Sequence, residues 1–377
     1  MDSSVNLNDE IHDALDAVMK RIRPEAWAYT LMQMDLIPGY LNFTVFIGVV
    51  EALDDSPKSI QELAEICDVK NPRYLRQVMI DLTHFGFYEE QDDDIFANNE
   101  CSSLFLKNRR ETFFPYLQWV EACRENYFNG TTYTTLHKKV ANLDDTSLFH
   151  CTAGGAHTDS LKAGWQHLRE NQELARIMDN AMEKSPTHNV ILESVVEGYD
   201  FSGISTLVHV AGGTGRLINA VLAKYPDMKG VLFDLEDVVA YAMSKPHFIM
   251  DRCQVEVGSH IVHIPKLGNA VLIDGVIQSY DDDDAAKILG NSAKSLDSGQ
   301  KVILVDVMTK PNERNLPITI KSAQMLTFHG PGQSGCSPGV RRKSDFVRLF
   351  DESGMDIRKI VPLSNPPGHY IFEGIVR

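Results

Sequence analysis

The stretch VHVAGGTGRLINAVLAKYP, from Val208 to Pro226, decides the fold of this chain. A short apolar run is followed by the glycines Gly212, Gly213 and Gly215, and a helical pattern comes after them. Glycine lets the backbone turn tightly there and lets a ligand approach the backbone amides closely. The stretch therefore predicts a strand, a ligand-binding loop and a helix.

A carboxylate follows the loop at a suitable distance. Asp234 ends the next apolar run, in GVLFDLED, nineteen residues past Gly215. An acidic residue at the end of a second strand can accept hydrogen bonds from both hydroxyls of a ribose. Loop and carboxylate together fit either a nicotinamide dinucleotide or S-adenosylmethionine. The alternative is an ordinary turn between strand and helix, followed by an exposed aspartate.

The two halves of the chain differ in pattern. In the second half, TLVHV, GVLFDL, AVLIDGVI and KVILVDVM alternate with helical stretches, which predicts a parallel doubly wound sheet. In the first half, Ser59 with Glu62 predicts a capping box, and Asn71 before Pro72 predicts the start of another helix. YEEQDDDIFANN is typical of a hairpin with an acidic turn, and helix, helix, hairpin is the order of a winged helix. We expect a mostly helical N-terminal domain over 1–190 and an α/β, Rossmann-like domain over 191–377.

Charge and composition exclude several classes of partner. The 377 residues carry a net charge of −16, so we expect neither nucleic acid nor an anionic membrane as a partner. No apolar stretch is long enough to span a membrane, and the acidic start, MDSSVNLNDEIHDAL, is unlike a signal peptide. The six cysteines form no C-x-x-C pair, which argues against a zinc knuckle and favours a cytoplasmic location.

One segment carries a specific family resemblance. HVAGGTGRLINAVLAKYPDMKGVLFDLEDVV resembles the cofactor-binding region of the small-molecule O-methyltransferases, the caffeic acid and acetylserotonin methyltransferase family. ELAEICDVKNPRYLRQVMIDLTHFGFYEE, WQHLRENQELARIMDNAM and SDFVRLFDESGMDIRKIVP extend the resemblance over most of the chain. The resemblance implies a class I methyltransferase domain, an N-terminal dimerisation domain, a homodimer, S-adenosylmethionine as cofactor and a small-molecule substrate.

The cofactor motifs depart from the family pattern at several positions. Where the family has Asp-Val-Gly-Gly-Gly, this chain has His209, Val210, Ala211 and then two glycines. A serine replaces the aspartate of the family's Gly-Asp-Phe-Phe motif, and an aspartate replaces a lysine near the cofactor. The resemblance assigns cofactor binding to Gly212, Gly213, Gly215, Asp234, Ser259 and Asp274.

The catalytic motif departs further. In the family a histidine removes the substrate's proton, and two carboxylates orient that histidine. In GVIQSYDDDDAAKIL the histidine position is Gln278, whose carboxamide is no base near neutral pH. Asp306 matches the first orienting carboxylate, and the second falls near Val340, where there is none. His329 either replaces the lost base or forms part of the pocket wall, and the resemblance places Met182, Met325 and Arg341 in the substrate pocket.

Two further polar clusters have ordinary interpretations. Asp281 is expected to cap a helix, with the three aspartates after it favouring the helix dipole. A metal site there would need ligands from elsewhere, and none stands at a clear spacing, so no metal is predicted. His260 and His263, three apart, are typical of surface residues.

Three functions fit these residues. The chain transfers a methyl group from S-adenosylmethionine to a nucleophile that needs no base, such as a thioether, a thiolate or an acidic phenol. Alternatively the fold performs a reaction without methyl transfer, as a pericyclase in which Gln278, His329 and Arg341 polarise a carbonyl. The third possibility is an inactive binding subunit. We favour the first function.

Overall fold

The computed structural model describes residues 36–123, 171–245, 248, 251–309, 341–365 and 368–377. Among these, residues 36–121 and 180–186 form one compact unit, and the rest form a second unit. Met325 and His329 lie outside the described residues.

The N-terminal unit is mainly helical. Its helices are α1 (Leu36–Phe46), α2 (Val49–Ala52), α3 (Ile60–Ile66), α4 (Pro72–His84), α5 (Glu100–Ser103) and α6 (Phe114–Cys123). The strands β1 (Lys58–Ser59), β2 (Glu89–Asp92) and β3 (Ile95–Ala97) form an antiparallel sheet in the order β1-β3-β2. The helix, helix, hairpin order expected from the sequence is therefore present.

The predicted helix starts of this unit are confirmed. The Ser59 side chain accepts a hydrogen bond from the Glu62 amide, and the Glu62 carboxylate accepts one from the Ser59 amide at 2.8 Å. Asn71 caps α4 by accepting from the amide of Tyr74. The two helices thereby start where their apolar faces can pack into one core, which includes Leu63, Leu75, Met79, Leu82 and Phe96.

The second unit alternates helices and strands. Its helices are α7 (Gln172–Lys184, which reaches into the N-terminal unit), α8 (Pro186–Gly198), α9 (Arg216–Lys224), α10 (Glu236–Met243), α11 (Asp282–Lys294) and α12 (Lys343–Glu352). Its strands are β4 (Thr206–Val210), β5 (Lys229–Asp234), β6 (Cys253–Val257), β7 (Ala270–Asp274), β8 (Lys301–Thr309), β9 (Arg341–Arg342), β10 (Met355–Pro362) and β11 (His369–Val376).

These strands form one mixed sheet in the order β10-β11-β8-β7-β4-β5-β6, with β9 paired to β8. The strands β4 to β8 run parallel, as predicted, whereas β11 runs antiparallel to β8 and β10 antiparallel to β11. Apolar clusters cover both faces, which explains why the central strands are continuous apolar runs. The strand order reverses between β4 and β7, and such a reversal opens a crevice at the carboxyl ends of the strands.

The sequence predicts no membrane-spanning segment and no paired cysteines. Within the described ranges, no helix combines the length and apolarity needed to cross a membrane. Of the described cysteines, Cys67, Cys101 and Cys253 are free thiols.

Candidate active site

The glycine loop after β4 requires its glycines for two different reasons. Gly213 (φ 56°) and Gly215 (φ 74°) adopt left-handed backbone conformations, and Gly215 is the N-cap of α9. Gly212 instead lacks room, because a Cβ there would come within 2.5 Å of the Leu232 side chain. Ala211 also has a left-handed backbone, with φ 51°, which strains a residue that carries a Cβ.

Asp234 joins this loop to the end of β5. The residue is 7% exposed, and its Oδ2 accepts a hydrogen bond of 2.8 Å from the amide of Gly213. Its Oδ1 accepts one of 2.7 Å from the amide of Leu235. The alternative of an exposed aspartate after a plain turn is therefore wrong, since the carboxylate is buried against the loop.

Ser259 and Asp274 lie at the same edge of the sheet. Ser259 follows β6, beside Gly258, whose amide donates to the carbonyl of Asp234 at 3.0 Å. Asp274 is the last residue of β7, and both it and Ser259 are partly buried. All six residues predicted to bind the cofactor thus lie at the carboxyl edge of the sheet, either as the last residue of β5 or β7 or in the segment after β4 or β6. A close-packed glycine loop and a buried carboxylate fit the ribose end of S-adenosylmethionine.

Gln278 lies in a single turn of 3₁₀ helix, Ile277–Ser279, directly after β7. It is 7% exposed, and its backbone amide donates to Oδ2 of Asp306 at 3.2 Å. Its side-chain Nε2 donates to the carbonyl of Gly275 at 2.9 Å. Within the described residues, its Oε1 is a buried acceptor without a hydrogen-bond partner. The structure therefore brings the Asp306 carboxylate against the backbone amide of Gln278. The roles that the resemblance assigns to the two side chains stay predictions.

Arg341 supports the turn that carries Gln278. Its guanidinium is 4% exposed and donates to the carbonyls of Ile277 (2.8 Å) and Tyr280 (2.7 Å). Its Nε donates to Oδ1 of Asp282 at 2.9 Å, and Arg348 pairs with the other oxygen of that carboxylate. These contacts bind protein groups, so Arg341 fixes the position of the 277–282 segment.

The aspartate run is only partly as the sequence predicted. Asp281 is confirmed as the N-cap of α11, since its Oδ1 accepts from the amide of Asp284 at 2.9 Å. For Asp282 the helix-dipole interpretation is incomplete, because this carboxylate is also a buried partner of two arginines. Among the described residues, no three histidine, cysteine or acidic side chains come together as metal ligands would.

His260 is not a surface residue, contrary to the expectation from its spacing. Its Nε2 lies 2.9 Å from the hydroxyl of Tyr280, and the two rings meet edge to face. Burial lowers its pKa from 6.5 to about 4, so the ring is neutral at pH 7. His263 is exposed, as expected. The His260–Tyr280 pair connects the segment after β6 to the segment after β7.

A family model for the O-methyltransferase domain matches residues 133–356. The chain belongs to the O-methyltransferase family. It is 23% identical to phenazine O-methyltransferase PhzM of Lysobacter antibioticus, over 88% of this chain and 92% of that protein. It is 25% identical to mitomycin biosynthesis 6-O-methyltransferase of Streptomyces lavendulae, over 87% of this chain and 88% of that one.

A solved structure confirms the fold of this O-methyltransferase-family chain. Human N-acetylserotonin methyltransferase, solved in complex with S-adenosylmethionine, superposes with a TM-score of 0.77 at 14% identity. The match covers 94% of this chain and 98% of that protein. The α/β, Rossmann-like class with an N-terminal helical domain is therefore shown. The match to the family model and to named O-methyltransferases shows that the chain is a methyltransferase-like enzyme.

One buried residue, His209, departs from the family's glycine-loop motif. His209, on β4, is 2% exposed, and neither ring nitrogen has a hydrogen-bond partner among the described residues. Burial lowers its pKa to about 4. Its Nδ1 lies 2.7 Å from where a Cβ of Gly212 would be, so the neutral ring packs directly beneath the glycine loop.

Of the predicted pocket residues, Met182 lies in α7 and is partly buried within the N-terminal unit. The structure adds Tyr280, His260 and Asp282 to the neighbourhood of Gln278. The contacts of Arg341 with Asp282 and of His260 with Tyr280 were not predicted, because these residues are 59 and 20 positions apart in the sequence.

Proposed function

We propose that this enzyme transfers a methyl group from S-adenosylmethionine to a small-molecule nucleophile of secondary metabolism, without a side-chain base. The observation that carries the proposal is the burial of Gln278 and its fixation by Gly275 and Asp306, since the resemblance assigns this residue to the position of the family's catalytic histidine. The relatives named for phenazine and mitomycin biosynthesis support a secondary metabolite as the substrate.

The cofactor-binding part of the proposal rests on the glycine loop and Asp234. When bound, S-adenosylmethionine supplies an electrophilic methyl group on a positively charged sulfur. The Asp234 carboxylate is held beside the glycine loop by the amides of Gly213 and Leu235, and a carboxylate at this position is the group that accepts hydrogen bonds from ribose hydroxyls. Gly213 leaves the backbone open for a ligand, because a Cβ there would meet no protein atom within 4 Å.

Neither Asp306 nor His260 is suited to replace the missing base. Both oxygens of Asp306 accept backbone hydrogen bonds, one from Gln278 and one from Val307 at 2.7 Å. His260 is paired with Tyr280, and its lowered pKa makes it a weak base. A nucleophile that needs no deprotonation is consistent with this environment, because positioning supplies much of the rate of such a transfer.

The proposed enzyme is a homodimer through its N-terminal unit. Several large apolar side chains of this unit are exposed in the single chain, and a two-fold interface would cover them: Phe46, Ile66, Tyr74 and Phe85. Light scattering at micromolar concentration tests this, since a particle of about twice 42.3 kDa is expected and one of 42.3 kDa would contradict it.

The second candidate function is a reaction without methyl transfer, such as a pericyclic reaction, which also needs no side-chain base. The contacts of Arg341 weigh against it. A pericyclase would use arginine as a donor to the substrate, whereas this guanidinium already donates to Ile277, Tyr280 and Asp282.

One experiment separates the candidates. The purified enzyme is incubated with methyl-labelled S-adenosylmethionine and a small-molecule extract of the source organism, with Asp234→Ala as the cofactor-binding control. A labelled small molecule formed only by the unsubstituted enzyme supports methyl transfer. Conversion of an extract component without label supports the second candidate, and no conversion of any kind supports an inactive binding subunit.

A further inference from the structure

The buried side-chain oxygen of Gln278 is an unused acceptor at a fixed position. Its backbone amide and its Nε2 both have partners, whereas Oε1 has none among the described residues. The amide orientation is set by Gly275, because rotating it would bring Oε1 against a carbonyl oxygen and lose the 2.9 Å hydrogen bond. The Gln278 side-chain atom without a partner among the described residues is therefore Oε1, a hydrogen-bond acceptor.

An unpaired buried carbonyl oxygen is costly. Leaving such a group unsatisfied costs about 1–3 kcal/mol, and folded proteins contain few of them. Gln278 lies at the carboxyl edge of the sheet, where ligands of this fold bind, and its backbone is held by Asp306. A ligand that donates a hydrogen bond to Oε1 would remove this cost.

The chemistry of that ligand follows from which chemical groups can form a favourable contact with the acceptor Oε1. A thiolate or a phenolate has no hydrogen to donate, and its negative charge would face the lone pairs of Oε1. A thioether also lacks a donor, and a neutral hydroxyl that donates to Oε1 keeps a proton that Gln278 cannot take. A neutral amine meets both demands, because its N–H donates while its lone pair stays free. We propose that the nucleophile is a neutral amine nitrogen that bears a hydrogen and donates it to Gln278 Oε1; this rests on the proposed methyl transfer.

The transfer balances without a base. The nitrogen lone pair forms the bond to the methyl carbon as the carbon–sulfur bond breaks, and the electron pair of that bond returns to sulfur. The positive charge moves from sulfur to nitrogen, and the resulting ammonium loses its proton to water after release. As charge builds on nitrogen, its hydrogen bond to Oε1 becomes charge-assisted and stronger, so it favours the transition state over the ground state.

The atom that receives the methyl group tests the proposal directly. The enzyme is incubated with S-adenosylmethionine carrying a ¹³C-methyl group and the small-molecule extract, and the labelled product is analysed by NMR. A ¹³C-methyl on nitrogen is expected. A methyl on oxygen or sulfur overturns the amine assignment and leaves methyl transfer standing, whereas the absence of any labelled product overturns both.

The role of Oε1 is tested by binding, with the parent amine of that product as the probe and S-adenosylhomocysteine present. Gln278→Leu should weaken binding of the amine by about 3- to 10-fold in calorimetry, as expected for one lost hydrogen bond. It should leave unchanged the binding of a fully alkylated analogue without N–H. Equal weakening of both compounds would mean a purely structural role and would overturn the proposal.

Two further variants, a control and a replacement, accompany this binding measurement. Gln254→Leu, an exposed glutamine on β6, is the matched control and should bind both compounds like the unsubstituted enzyme. If Gln278→Leu does not fold by circular dichroism, Gln278→Met, which is unbranched, replaces it with the same expected results.

Discussion

Arg341 and Asp282 form an almost fully buried ion pair, with 2.9 Å between Nε and Oδ1 and only 4% and 5% of the two residues exposed. The same guanidinium holds the carbonyls of Ile277 and Tyr280, on either side of Gln278. The pair therefore connects β9 to the turn at the candidate active site. The contribution of this ion pair to stability can be separated from that of the exposed Arg342.

Arg341→Met should lower the free energy of unfolding by about 3 kcal/mol or more, because it removes the buried one of the two arginines that pair with the buried Asp282 carboxylate. The adjacent Arg342 is exposed, so Arg342→Met should change that free energy by less than about 0.5 kcal/mol. Urea denaturation of both variants measures the difference. Equal effects would show that the buried pair is not a principal stabilising contact.

Asp234→Ala should weaken S-adenosylmethionine binding by about 10- to 100-fold, the expected cost of losing hydrogen bonds to a charged acceptor. The substitution also releases the amide of Gly213 from its 2.8 Å hydrogen bond and so loosens the glycine loop. Asp227→Ala, an exposed position in the turn before β5, is the control. Calorimetry that finds the same affinity in both variants would remove Asp234 from the cofactor site.

The backbone of the glycine loop is strained at Ala211, and the substitution Ala211→Gly should relieve this strain. Ala211 has φ 51°, a conformation that costs an alanine about 1–2 kcal/mol, so Ala211→Gly should raise the free energy of unfolding by about 0.5–1 kcal/mol after the entropy gained by the unfolded chain. Ala223, exposed in α9, is the opposite case, and Ala223→Gly should lower stability by about 1 kcal/mol. Thermal denaturation that shows the same sign for both would contradict the strain.

The sequence predicted what local rules determine. The caps at Ser59, Asn71 and Asp281 follow from hydrogen bonds across three residues, and the strand–loop–helix after β4 follows from glycine placement. The partners of Arg341 and His260 could not be predicted, because each contact joins segments that only the folded sheet brings together. The antiparallel pairing of β11 with β8 was missed for the same reason.

The proposed absence of a side-chain base predicts a flat pH–rate profile. Between about pH 6 and 9 kcat/KM should not change unless the substrate itself titrates, since Gln278 does not ionise and His260 is already neutral. An ionisation in the pH–rate profile with a pKa of about 6.5 that disappears in His329→Ala would contradict this and identify His329 as the base.

Stability should fall on acidification because of two histidines, the buried His209 and the partly buried His260. Burial lowers the pKa of His209 and of His260 from 6.5 to about 4, so the folded chain resists a protonation that the unfolded chain accepts below pH 6.5. Their stabilising effect is complete above pH 6.5 and is lost as the pH falls towards 4, at about 1.4 kcal/mol per pH unit for each histidine. His209→Leu removes one of these groups and both of its unpartnered ring nitrogens. Urea denaturation at pH 8, 6 and 5 should therefore show a gain in stability for His209→Leu that grows as the pH falls. His263→Leu, at an exposed position, should leave the pH dependence unchanged, and the same slope in His209→Leu would show that His209 is not the buried neutral group described here.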